Sequence, residues 1–163
     1  MNENKFTNLI QELIDENPFA MRAVLKMLCI DFTNSVATLA VTREERPRML
    51  VNLDFVNQYC RTDAEVKALI CHEFLHILLR HTEKKGHLSD AEQLAMDAVI
   101  NAIIHRQFGE EYSSMMSHYY QHAGGLLKIL RPMNEKERDR VEKSNSGGRI
   151  LWEYAWESLY KGG

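Results

Sequence analysis

Residues 68–81 read ALICHEFLHILLRH, and three of them stand out from an otherwise apolar helix. His72 and His76 stand at i and i+4, so on a helix they project from one face about a turn apart. Two imidazoles so placed can share one tetrahedral metal ion, and zinc is the usual occupant. Glu73 lies about 100° further round, where a carboxylate can reach a water on the metal without ligating the metal itself. That division of labour, two ligands and a base, is the chemistry behind H-E-x-x-H on a helix. The bland alternative is a chance grouping on a solvated face. The surrounding Leu, Ile and Phe residues argue against it, because imidazoles and a carboxylate among them need partners.

A zinc site takes a third protein ligand, and three residues compete for the place. His81 would serve if the chain turned sharply after His76, but ILLRH has no glycine for that turn. The spacing therefore predicts that the helix continues, which points His81 about 140° from His76 and about 180° from His72. In that position it is a helix-end residue near the C-terminal dipole, or a group that supports a ligand. Glu92 already has a role as the acid of a capping box with Ser89. Asp97 sits with Asn101, one turn on, in the middle of an apolar arc of Leu94, Met96, Ile100, Ile103 and Ile104. A carboxylate there is costly unless a metal compensates it. Asp97 is therefore the preferred third ligand; the rival reading is a buried support paired with a histidine or arginine. Asn101 is expected to hold Asp97 or a histidine by hydrogen bonding.

The two motifs together, HEFLHILLRH and then AMDAVIN, resemble the zincin-type metallopeptidase domains with the pattern H-E-x-x-H-x-x-x-x-H followed by A-x-D-x-x-I-N. In that family a short segment like MLVNLDFV precedes the motif helix, and the domain often stands before a von Willebrand A-like region. The likeness covers roughly residues 35–108. It implies His72 and His76 as zinc ligands, Glu73 as general base and Asp97 as third ligand. His81 matches the last histidine of the first motif, which implies a supporting role. The resemblance also implies a peptide or protein substrate. The chain departs from the pattern at its C-terminus, running to Gly163 without a von Willebrand-like half, so no partner tied to that half is carried over.

The elements that must position these residues are legible in outline. Phe6, Leu9, Ile10 and Leu13 have helical spacing over 5–15, and Asn17 with Pro18 opens a second helix. SVATLAVT (35–42) and RMLVNLDF (48–55) read as a β-hairpin around REERP, with Pro47 at the entry to the second strand. Thr62 with Glu65 makes a capping box that starts the motif helix, expected over about 63–81. Ser89 with Glu92 opens the next helix, which runs to Gly109. Beyond it, YSSMMSHYYQHA is expected to be helical and to stop at Gly124 and Gly125. NEKERDRVEKSNSGG reads as charged helix or loop, and RILWEYAWESLY as an aromatic amphipathic helix. The expected fold is α+β and mostly helical: a single zincin-like domain over 1–163. A short hairpin or small sheet would pack on the motif helix, with an antiparallel helix following.

Composition narrows the function. The 163 residues are 45% hydrophobic and 26% charged with a net charge of −3, so no basic excess points to nucleic acid. Three cysteines, Cys29, Cys60 and Cys71, form no C-x-x-C pair and are expected to be small buried hydrophobes in a reducing compartment. The N-terminus has no cationic stretch followed by an apolar run, and no apolar run reaches membrane-spanning length, so a cytoplasmic location is expected.

The expected reaction is peptide-bond hydrolysis by zinc-activated water, with Glu73 as base. His118, Tyr119, Tyr120 and His122 are candidates for the group that steadies the tetrahedral intermediate. The strand MLVNL is expected to be a sheet edge that pairs an extended peptide, so proline at Val51 should impair cleavage and spare zinc. Two other classes compete: a catalytically silent zinc-binding protein, and a helical interaction module with no metal.

Overall fold

The computed structural model describes residues 1–84, 86–144 and 151–161. It is mostly helical, with one three-stranded sheet. The chain divides into two compact units, Met1–Leu88 and Ser89–Gly163.

The first unit opens with α1 (Glu3–Glu16), whose Asn2 cap accepts from the Lys5 amide at 2.9 Å. Helix α2 (Pro18–Lys26) follows from Asn17 with proline at its first position, as expected. The sheet comprises β1 (Ile30–Phe32), β2 (Leu39–Val41) and β3 (Met49–Val51) in the order β1-β3-β2. β2 and β3 are the expected hairpin, antiparallel and shorter than expected, with Ala40 opposite Leu50. β1 is an addition, parallel to β3 with Asp31 opposite Leu50.

This topology overturns one expectation. β3 is paired on both sides, so MLVNL is a central strand and not an edge. A proline at Val51 would remove a sheet residue and report nothing about a substrate.

The second half of RMLVNLDF also differs from a strand. Asn52 stops β3 and caps α3 (Leu53–Tyr59): its Oδ1 accepts from the amides of Asp54 and Phe55 at 3.0 and 3.3 Å. Its Nδ2 donates to the Val36 carbonyl at 2.8 Å, so one side chain turns the chain and ties it to the loop before β2. Helix α4 (Asp63–Leu78) begins on the expected capping box, with both Thr62 and Glu65 bonds present. It packs against α1, α2 and β2.

The apolar core of this unit is drawn from its helices and its central strand. Phe6, Leu9 and Leu13 of α1, Met49 and Val51 of β3, and Val66, Ile70, Phe74 and Ile77 of α4 are all buried. Phe6 meets Phe32 edge-on at 5.8 Å. Each such side chain contributes about 1.5–3 kcal/mol on burial, which is what holds the motif helix in place. Lys67 of α4 is also buried, and its Nζ lies 2.9 Å from Glu12 and 2.8 Å from Glu16 of α1. Burial alone would depress that ammonium, but the hydrogen bonds and charges of Glu16 and Glu12 outweigh it and raise the pKa.

In the second unit, α5 (Asp90–Phe108) starts on the Ser89–Glu92 capping box and stops at Gly109. Helix α6 (Glu110–Tyr119), a 3-10 segment (Gly125–Leu130), α7 (Glu135–Ser144) and α8 (Leu151–Tyr160) follow. The charged stretch NEKERDRVEKS is thus helical as far as Ser144, and the rest of it lies outside the described residues. Ala102, Met133, Trp156 and Tyr160 form a buried cluster with Ile129 and Leu159 against it. Trp156 Nε1 donates to the Arg131 carbonyl at 2.8 Å and the Tyr160 hydroxyl to the Ile129 carbonyl at 3.1 Å. Both aromatic residues therefore bury their rings without stranding a polar atom.

The cysteines do not all behave as expected. Cys71 is buried and its thiol is pushed up to about 12, by burial first and then by the charge of Glu16. Cys60 is half-buried and pushed up to about 12, again by burial first. Cys29 is exposed, in the connection between α2 and β1, where no element covers it as its apolar neighbours had suggested. Among the described residues no helix is long and apolar enough to cross a membrane.

Candidate metal centre

Helix α4 is buried on several sides at once: Val66, Ala68, Ile70, Cys71, Glu73, Phe74 and Ile77 are all shielded. His72 and His76 are half-buried on it. Their Nε2 atoms lie 3.1 Å apart, with ring centroids 4.9 Å apart and planes at 59°. Two nitrogens bound to one tetrahedral zinc at about 2.05 Å would be separated by about 3.3 Å. The pair therefore converges at close to ligand spacing. Glu73, next along the helix, is only 7% exposed, so its carboxylate is held in a shielded position.

Asp97, half-buried on α5, completes a group. His72, His76 and Asp97 each offer one ligand atom, and these atoms all lie within 4.8 Å of one another. It is the one such group of three among the described residues, and it could hold a metal ion. Two imidazole nitrogens and one carboxylate oxygen make a donor set that divalent transition metals accept.

Glu92 is exposed, and its Oε2 accepts from the Ser89 amide and hydroxyl at 3.0 and 2.9 Å, as befits a cap. Asn101 is buried, and its Nδ2 donates to the Leu130 carbonyl at 2.9 Å, which ties α5 to the 3-10 segment. His118, Tyr119 and His122 are exposed. Tyr120 is half-buried and its phenol is pushed up to about 12, by burial first and then by the negative charge of Asp97.

His81 corrects the sequence reading. The motif helix does not continue to residue 81; it ends at Leu78, with Leu79 as cap. Arg80 then adopts a left-handed conformation, φ 63° and ψ 25°, and a short 3-10 turn (His81–Glu83) follows. This reversal brings His81 back onto the motif: its Nδ1 lies 3.0 Å from Nδ1 of His76. The stretch ILLRH contains no glycine for such a turn. An arginine makes it instead, and no local signal in the sequence announces that.

No known protein family, curated protein or solved structure matches the chain.

Proposed function

We propose that this chain is a zinc-dependent peptide-bond hydrolase of zincin-like design. The observation that carries the reading is the convergence of His72 Nε2 and His76 Nε2 at 3.1 Å in a group with Asp97, beside the shielded carboxylate of Glu73. His72, His76 and Asp97 would hold the ion, leaving a tetrahedral site one position short of saturation by protein, as hydrolytic sites require. Zinc, when bound, supplies Lewis acidity that brings a water's pKa down to about 7 and polarises a carbonyl.

The chain's own residues do the rest. Glu73 accepts the proton of the attacking water and hands it to the departing amine nitrogen, so the carboxylate is restored at the end of the cycle. An extended substrate would add to an outer strand, β1 or β2, since β3 is enclosed.

Glu73 also separates this reading from a silent zinc-binding protein, since a purely structural site needs no base beside it. The test is Glu73→Gln. Protein purified without added zinc should contain about one equivalent of the metal in wild type and variant alike. Cleavage of a mixed peptide library should fall about 10²–10⁴-fold in the variant. A variant that cuts as fast as wild type, or a wild type free of metal, overturns the proposal.

A further inference from the structure

The turn that ends α4 carries an unexplained cost. Arg80 is the only non-glycine residue with positive φ among the described residues. It occupies the position just past a helix cap where glycine or asparagine is normally found. A left-handed arginine costs roughly 1–2 kcal/mol. The side chain recovers little of it, because its ion pair with Glu83 spans 3.3 Å between groups that are 72% and 50% exposed. Such strain persists where the surroundings over-determine it, and it gathers at sites with a task.

The residue delivered by this turn is His81. On a continued helix it would face about 140° away from His76. Here the two rings are 5.1 Å apart at 69°, and the contact is between Nδ1 and Nδ1. A metal ligand that uses Nε2 carries its proton on Nδ1, and that N–H needs an acceptor. His81 cannot itself be a ligand beside His76 through this contact. The two nitrogens of one imidazole point in diverging directions, and it is the Nε2 of His76 that meets His72.

We infer that His81 is a positioning residue: its Nδ1 accepts the Nδ1–H of His76 and so fixes the tautomer that turns the Nε2 lone pair toward the metal. The inference rests on the metal reading of the previous subsection. In this arrangement His81 carries its own proton on Nε2, and the left-handed Arg80 exists to place it. Without the metal, the row His72, His76, His81 can run its hydrogen bonds in either direction. His81 therefore selects the binding-competent arrangement only once an ion takes the Nε2 lone pair.

The experiment measures zinc affinity of the full chain by chelator competition, for wild type, His81→Phe, His81→Asn and His81→Gln. Long-range ¹H–¹⁵N spectra of the zinc-loaded wild type read the His76 tautomer. Loss of the acceptor in His81→Phe should weaken zinc about 10–100-fold. His81→Asn puts an amide oxygen where Nδ1 was and should recover most of that loss. His81→Gln places it one methylene further out and should not. The loaded His76 should carry its proton on Nδ1. If His81→Phe does not fold, the asparagine–glutamine difference decides alone. Equal affinities, or a His76 protonated on Nε2, overturn the inference while leaving the metal site standing. A wild type that takes up no zinc overturns both.

Discussion

Helices α4 and α5 both start on a capping box, Thr62 with Glu65 and Ser89 with Glu92, yet they stop by different means. Helix α5 ends at Gly109, with φ 84° and ψ −174°, a conformation open essentially to glycine alone. Helix α4 ends two residues before Arg80, which is left-handed without being glycine. The first stop is cheap and carries no chemistry. The second is strained, and a histidine of the motif region comes out of it in contact with another. The contrast teaches that a helix end can be read in two ways: where glycine makes it, the chain only needs to turn; where a bulky residue makes it, something after the turn has to be placed.

The capping boxes break the comparison most sharply. Glu92 and Asp97 both compete for the third ligand position, but only Asp97 belongs to the ligand group, while Glu92 closes a cap. Asp97→Ala should weaken zinc by two orders of magnitude or more, since it would remove one of the three proposed protein ligands. Glu92→Ala should leave zinc affinity unchanged and cost about 1 kcal/mol in stability. Chelator competition and urea denaturation of both variants measure the two effects. Zinc released by Glu92→Ala alone would reverse the assignment.

What the sequence disclosed follows from how local each feature is. The two capping boxes, the Asn17–Pro18 start and the Gly109 stop are decided within four residues, and all are found as expected. His72 and His76 were legible because a helix alone puts i and i+4 on one face. The place of Asp97 in a group that could hold an ion was legible because a carboxylate in an apolar arc asks for compensation. Strand β1 was not legible: Ile30–Phe32 becomes a strand only by pairing with β3, nineteen residues along the chain, where Ile30 lies opposite Met49. Leu53-Asp54-Phe55 continues the strand alternation of the preceding residues, and it is the bidirectional bonding of Asn52 that makes it helical. The fate of His81 depended on Arg80 accepting a conformation its type disfavours. That is a tertiary decision, and no window around ILLRH contains it.

The two helix stops can be exchanged in kind. Gly109→Ala should destabilise by about 1–3 kcal/mol. A Cβ there meets nothing within 4 Å, so the loss would be backbone strain and not collision. Arg80→Gly should do the opposite. It relieves the left-handed arginine and forfeits an exposed ion pair, with part of the gain returned to the more flexible unfolded chain. A net stabilisation of about 0.5–1 kcal/mol is expected, seen as a rise in the urea midpoint with zinc affinity kept. A loss of stability in Arg80→Gly would show that the arginine side chain, and not the placement of His81, is the reason for the turn.

The smallest effect expected lies at the end of α5. His105 stands in its last turn, with Nδ1 2.8 Å from the Ser113 hydroxyl and its ring 5.7 Å from that of Tyr160. Burial lowers its pKa below the ordinary 6.5, and the charge of Glu110 works in the opposite direction. The unfolded chain, where the imidazole is hydrated, then holds the proton more tightly than the folded one. Stability therefore rises with pH across the interval between the folded and unfolded values, and falls as pH drops from about 6.5 into it. Above that interval the group is neutral in both states and contributes no slope. His105→Gln should flatten this part of the stability–pH curve relative to wild type, measured by urea denaturation between pH 5 and pH 8. Glu110→Gln, by removing the charge that favours the imidazolium, should lower the folded pKa further and steepen the loss. Identical curves for His105→Gln and wild type would mean that the imidazole keeps enough water in the fold to titrate as it does in the open chain.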